Sequence, residues 1–266
     1  MSQPRSRWLI SVVLVLAVIG FVGFSMLPLI SSAFRDPQST IATPASGQKP
    51  NVVEKSKLQD QAKGYELVLQ REPENQTALQ GLVQSRLELR ELKKAVAPLE
   101  KLTALNPKRT EYTLLLAQIK QYNGDHEGAA QAYHSILQTK PGDDDALRGM
   151  ANLLVQQKRP EAAINLLQHT LETASQTNQE QPGSVDVVSV RLLLGQVYAT
   201  EQRYDEAVAV YNQAIEKTKQ DFRPVLAKAV VLKKQGKTEQ AKPLFENAAN
   251  LAPVQFKNQI NQLAAS

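Results

Sequence analysis

Residues 192–214 read LLLGQVYATEQRYDEAVAVYNQA. Ala207, near the middle of this stretch, is one of five alanines in a common register: Ala241 follows it by 34 residues, and Ala95, Ala129 and Ala163 stand 34 apart upstream. Other positions move with them. Leu82, Leu116, Met150 and Leu194 lie thirteen residues before four of these alanines, and Leu99, Tyr133, Leu167, Tyr211 and Phe245 lie four residues after all five. A short unit written five times is the signature of a stacked solenoid, in which each unit buries its apolar face only against its neighbours.

The residue types say what each unit contains. Small residues recur twelve positions before the alanines, at Val83, Ala117, Ala151, Gly195 and Ala229. Two antiparallel helices approach closely only where both present small side chains, so these positions and the alanines mark a helix crossing. Polar turns such as Asn123-Gly124-Asp125 and Lys234-Gln235-Gly236-Lys237 separate the two helices, with glycine available for the positive φ that follows a helix end. Pro73, Pro107, Pro141 and Pro253 stop the second helices, where no further helical N–H is needed.

On these residues the repeat resembles the tetratricopeptide repeat (TPR). One unit carries Gly124, Asp125, Ala129, Tyr133 and Pro141; another carries Leu194, Gly195, Tyr198, Tyr204, Ala207, Tyr211 and Ala214; the last carries Ala229, Gly236, Ala241, Phe245, Ala248 and Pro253. The resemblance covers about residues 54–255 and implies an all-α fold, a superhelical solenoid of antiparallel helix pairs. The chain departs from the signature where an aromatic should open each first helix, at Leu79, Thr113, Leu147, Arg191 and Val225, and at Lys228, where the last unit should carry a leucine.

Outward from the repeats, the register sets the organisation. Residues 54–75 place Ala62, Tyr65, Val68 and Leu69 in the pattern of a second helix without its partner, which reads as a half-repeat cap. Units 1–3 follow over 76–177. Ten surplus residues then delay the next reference alanine to 207, which puts an insert at 178–187, centred on the QTNQEQPGS of 176–184 and read as a surface bulge or a contact loop. Units 4–5 occupy 188–255, and Phe256, Ile260 and Leu263 predict a capping helix over 256–266.

Residues 8–30, WLISVVLVLAVIGFVGFSMLPLI, carry no charge and are long enough to cross a hydrocarbon core of roughly 30 Å. They exceed the apolar run of a cleaved signal, so the reading is a retained transmembrane helix. Arg5 and Arg7 precede it and Arg35 follows, which places residues 1–7 in the cytoplasm and the repeats on the lumenal or periplasmic side. Residues 31–53, rich in Ser, Pro, Gln and Thr, read as a flexible tether.

The net charge is +5, from 31 basic and 26 acidic residues. Residues 1–49 contribute +3 of it through Arg5, Arg7, Arg35 and Lys49 against Asp36, which leaves +2 for the repeats. With no basic stripe and no interleaved aromatics, nucleic acid is not an expected partner. Cysteine is absent, so no disulfide or thiolate chemistry is available. The three histidines, His126, His134 and His169, fall in turns or second helices without matched co-ligands, and Asp143-Asp144-Asp145 opens a first helix as a cap complementing the helix dipole. Phosphate-cradling and nucleophile-elbow motifs are missing. The expectation is a non-enzymatic protein with no cofactor, no metal and no small-molecule substrate.

The resemblance also implies a binding surface. In TPR proteins the first helices line an inner groove, with the fifth and ninth positions among those facing a ligand. Here they give Gln80, Leu114, Arg148 and Leu192 at the fifth position and Gln84, Gln118, Asn152 and Gln196 at the ninth. Side-chain amides both donate and accept, so a row of them suits a peptide backbone, with the leucines as apolar contacts. The carboxylate clamp of chaperone-binding TPRs is incomplete: Arg148 and Asn152 imitate its first pair, but Leu193 stands where the next unit requires asparagine, and Ala227 holds the corresponding position of the last unit.

An anchor, a tether and five and a half repeats resemble single-span TPR assembly factors of cyanobacterial thylakoid or bacterial periplasmic type. The implied function is a scaffold that binds client proteins or peptides during assembly of membrane complexes, photosynthetic ones among them. The alternatives are a homo-oligomeric platform and a periplasmic chaperone associated with the translocon or with cytochrome c maturation.

Overall fold

The computed structural model describes residues 52–265, which form twelve α-helices. They are α1 (Val52–Arg71), α2 (Gln76–Glu88), α3 (Leu92–Leu105), α4 (Thr110–Tyr122), α5 (His126–Thr139), α6 (Asp144–Gln156), α7 (Pro160–Glu180), α8 (Val187–Thr200), α9 (Tyr204–Lys217), α10 (Phe222–Lys234), α11 (Thr238–Leu251) and α12 (Val254–Ala265). The expected transmembrane helix at 8–30, the segment before it and nearly all of the 31–53 tether lie outside the described residues. Among the described residues, no helix is long and apolar enough to cross a membrane. The chain divides into two compact units, one ending at Asp125 and containing α1–α4, the other beginning at His126 and containing α5–α12.

Local chemistry starts and stops these helices in register. Asn75, Asp143, Asp186 and Asp221 are the N-caps of α2, α6, α8 and α10, each accepting from a backbone N–H of the first turn at 2.9–3.2 Å. Asp143 thus performs the capping expected of the acidic run. The turn after each first helix has positive φ at one fixed position: Arg90 (59°), Gly124 (84°), Lys158 (59°), Gln202 (60°) and Gly236 (77°). Only two of the five are glycine, so Arg90, Lys158 and Gln202 accept a strained left-handed conformation that the repeat geometry imposes.

In the first unit, Leu79, Val83, Ala95, Leu99, Leu102, Leu115 and Ile119 form one buried cluster. α1 closes its end: Ala62 is buried, Tyr65 lies on Gly81, and Glu66 pairs with Arg86, which also pairs with Glu91. In the second unit, one cluster runs from Leu147 through Leu167 and Leu194 to Tyr211, and another joins Val225, Ala229, Phe245, Ala248 and Ile260. Ile260 comes from α12, and Phe256 of the same helix meets Phe222 at 5.4 Å between ring centroids. Lys233 Nζ donates to the carbonyls of Leu263 and Ala264 and fastens the end of α12.

Side-chain size alternates across the joints between repeats. A Cβ on Gly81 would stand 2.2 Å from the Tyr65 ring, and one on Gly149 would stand 2.3 Å from the Tyr133 ring. At the equivalent joints, Leu99 shares a cluster with Leu115, and Leu167 shares one with Leu193. Of the joints in this register, two set a tyrosine on a glycine and two bring a pair of leucines into one cluster, whereas Tyr211 shares its cluster with Ala227 at the next.

The ten surplus residues are mostly helix. α7 is 21 residues long, against 13 or 14 for its neighbours. The short loop after it is pinned by one side chain: Asn178 Nδ2 donates to the Val185 carbonyl at 3.0 Å, and its Oδ1 accepts from the Val185 N–H at 2.9 Å. Val185 is buried at 4% exposure, and a Cβ on Gly142 would meet its backbone and the Ser184 carbonyl. The segment is a folded strap over the turn before α6.

Candidate functional site

The first helices of the two units treat the candidate residues differently. In the first unit, α2 carries Gln80 and Gln84. Gln80 Nε2 donates to the Tyr112 hydroxyl at 2.8 Å, and Gln84 Nε2 donates to Glu88 one turn on. α4 carries Leu114 and Gln118. Leu114 is only 5% exposed, and Gln118 is half-buried with its Oε1 shielded from solvent. The signal for this burial was the unbroken run from Tyr112 to Ala117, which is buried throughout and leaves no polar face.

In the second unit two of the ninth positions are open. Asn152 on α6 and Gln196 on α8 are exposed, and among the described residues their side-chain amides engage no protein group. Leu192 is half-buried beside them in sequence register, and α10 adds Leu226 and Val230, also half-buried, at its fifth and ninth positions. Arg148 holds Asp144 through Nη2 at 2.7 Å. Arg223, a residue the amide pattern did not single out for the surface, ties the N-terminal turns of α8 and α10: it pairs with Asp221 at 2.7 Å, lies 3.7 Å from Asp186 and donates to Ser189 Oγ at 3.2 Å.

The electrostatics of that edge follow from these contacts. Burial works to raise the Asp186 pKa, but hydrogen bonds from the Ser189 hydroxyl and from the Ser189 and Val188 N–H groups, with Arg223 nearby, outweigh it and hold the carboxyl below the usual range. The edge is thus fixed in its ionised form, with Arg148 and Arg223 flanking a strip of neutral amides and aliphatic side chains. Such a strip can hydrogen-bond an extended or helical segment and cover its apolar side chains. The histidines stand apart: His126, His134 and His169 are all exposed, His134 with Gln138 and His169 4.0 Å from Glu172.

Two stretches, residues 122–181 and 188–217, match family models described as tetratricopeptide repeat. The chain is a tetratricopeptide repeat protein. This TPR chain is 29% identical over 248 residues to the protein SLOW GREEN 1, chloroplastic, of Arabidopsis thaliana, an alignment covering 93% of this chain and 74% of that one. It is 28% identical over 154 residues to the cellulose synthase operon protein C of Pseudomonas fluorescens (strain SBW25), covering 57% of this chain but only 12% of the relative. Among solved structures, that of the yeast Tom70 superposes with a TM-score of 0.54 at 14% identity, covering 89% of this chain and 45% of Tom70. At that identity the likeness is one of fold.

Proposed function

We propose that this TPR protein is a membrane-anchored scaffold that binds client proteins or peptides and assists the assembly of membrane complexes, without catalysis of its own. The observation that carries the reading is the pair of exposed, unengaged amides Asn152 and Gln196, set beside Leu192, Leu226 and Val230 and flanked by Arg148 and Arg223. Polar groups on rigid helices with free donors and acceptors bind at low ordering cost, because the helices do not reorganise when a ligand arrives. Gln80, Gln84, Leu114 and Gln118 would extend the same role into the first unit only where their present contacts exchange for a client's.

The apolar run 8–30 supports an anchor, and Arg5 and Arg7 support a cytoplasmic N-terminus with the repeats lumenal or periplasmic. The chloroplastic relative supports a photosynthetic membrane as the setting. The test is crosslinking in native membranes, purification of the full chain and identification of its neighbours, alongside protease treatment of sealed vesicles. Foreign subunits of one membrane complex, and repeats protected from protease on the cytoplasmic face, are the expected results. Recovery of the chain alone would remove the scaffold reading, and cleavage from the cytoplasmic face would reverse the topology.

A further inference from the structure

The last repeat departs from its own pattern at Lys228. Of the equivalent positions, Leu82, Leu116 and Leu194 are buried, at 7%, 6% and 3% exposure, and Met150 is half-buried. A lysine cannot fill that place, because its ammonium must stay hydrated or paired. Where it stands, the second unit has a cleft of about 330 Å³, walled by Asp205 and Val208 of α9, Lys228 and Leu232 of α10, and Gln235 and Lys237 of the next turn. Gln240, Pro243 and Leu244 of α11 complete the wall, and no residue of it belongs to the inner-face strip of Arg148, Asn152, Leu192, Gln196, Leu226 and Val230.

The polar groups of the cleft are incompletely matched. Asp205 Oδ1 accepts from Gln235 Nε2 at 3.1 Å and lies 4.0 Å from Lys237 Nζ, so its charge is already shared. Lys228 pairs with no carboxylate among the described residues. Gln235 Oε1 is shielded from solvent and receives no protein donor. What the cleft lacks is therefore one negative charge near Lys228 and one N–H near Gln235, over an apolar floor of Val208 and Leu232.

We propose that this cleft is a second recognition site, which takes an acidic side chain together with a neighbouring peptide N–H from a protein partner. The carboxylate reaches Lys228, the N–H reaches Gln235 Oε1 as that side chain turns toward the cleft mouth, and the methylenes of the acidic residue lie on Val208 and Leu232. Two lysines against one aspartate suit a single negative charge. A phosphate brings nearly two charges beside Asp205 and offers little hydrogen to Gln235. The volume is near the lower end for ligand pockets and fits one or two side chains rather than a whole element.

The test uses the full chain in detergent micelles and a short acetylated peptide of alternating Glu and Leu carrying a benzophenone group, with its Gln-for-Glu counterpart as the control. Photolabelling mapped by mass spectrometry should fall within residues 204–251. It should drop about tenfold for Lys228→Leu and for the Gln peptide, be kept by Lys228→Arg, and be unaffected by Asn152→Glu with Gln196→Glu. Lys228→Leu restores the residue type of the other repeats, so a melting temperature no lower than the parent's separates lost recognition from lost folding. Labelling that persists in Lys228→Leu, that is equal for both peptides, or that falls on α6 and α8 would overturn the proposal; the last result would leave the inner-face reading standing.

Discussion

The two compact units carry the same amide pattern and use it oppositely. In the first, Gln80 is bound to the Tyr112 hydroxyl and Gln84 to Glu88, while Gln118 is half-buried. In the second, Asn152 and Gln196 face solvent with their hydrogen-bonding capacity unspent. At the ninth position the difference lies one turn on: Gln84 finds Glu88 there, whereas Gln156 and Thr200 hold the corresponding places after Asn152 and Gln196. A repeat position is thus a location, and its chemistry is decided by the neighbours that surround it.

Client binding gives the sharpest contrast. Asn152→Glu with Gln196→Glu should lower client recovery on the order of a hundredfold, since two charges would be desolvated against the partner. Gln84→Glu should lower it far less. Recovery from purified membranes is the measurement, and equal losses at the two places would erase the distinction between the units.

Packing at the joints comes next. Gly149→Ala drives a methyl into the Tyr133 ring and should cost about 1–3 kcal/mol by thermal or denaturant unfolding. Adding Tyr133→Leu, which imitates the Leu99 and Leu115 joint, should recover part of that loss. Gly81→Ala against Tyr65 should behave alike in the first unit, so a cost in one unit only would show that the joints are not equivalent. Non-additivity in the double variant is the specific readout.

A smaller effect separates the amides themselves. Gln80→Ala removes the hydrogen bond to Tyr112 and should cost about 1 kcal/mol, whereas Gln196→Ala should stay within about 0.5 kcal/mol of the parent. The smallest is pH-dependent and confined to the second unit. The Asp186 pKa is depressed by folding, so its contribution is complete above the ordinary carboxylate range and is lost as the pH falls through the lowered folded value. Asp186→Asn should flatten the acid limb of the melting curve. An unchanged limb would mean that the Ser189 and Arg223 contacts do not set the charge of this edge.

Much of this architecture was legible along the chain. The 34-residue register located the helix pairs, and all five reference alanines are buried, at 0% or 1% exposure. Ala62 of α1 and Ile260 of α12 are likewise buried. The joints were also written in sequence, since Tyr65 and Gly81 stand at the same separation as Tyr133 and Gly149, though the complementarity shows only once the rings are seen on the glycines. Leu114 was not legible as a buried residue, because the fifth position marks a groove only when the helix has an exposed face, and α4 buries six consecutive residues.

Sequence by itself determined the helical period, the spacing of the repeats, the caps at Asn75, Asp143, Asp186 and Asp221, and the small residues at the crossings, because each depends on chemistry within one or two turns of chain. Only the tertiary structure decided that Arg90, Lys158 and Gln202 take a positive φ without glycine, that α7 runs on to be strapped by Asn178, and which amides are spent and which are free. These depend on packing between elements far apart in sequence, where the gain from burial exceeds the local preference of a single residue.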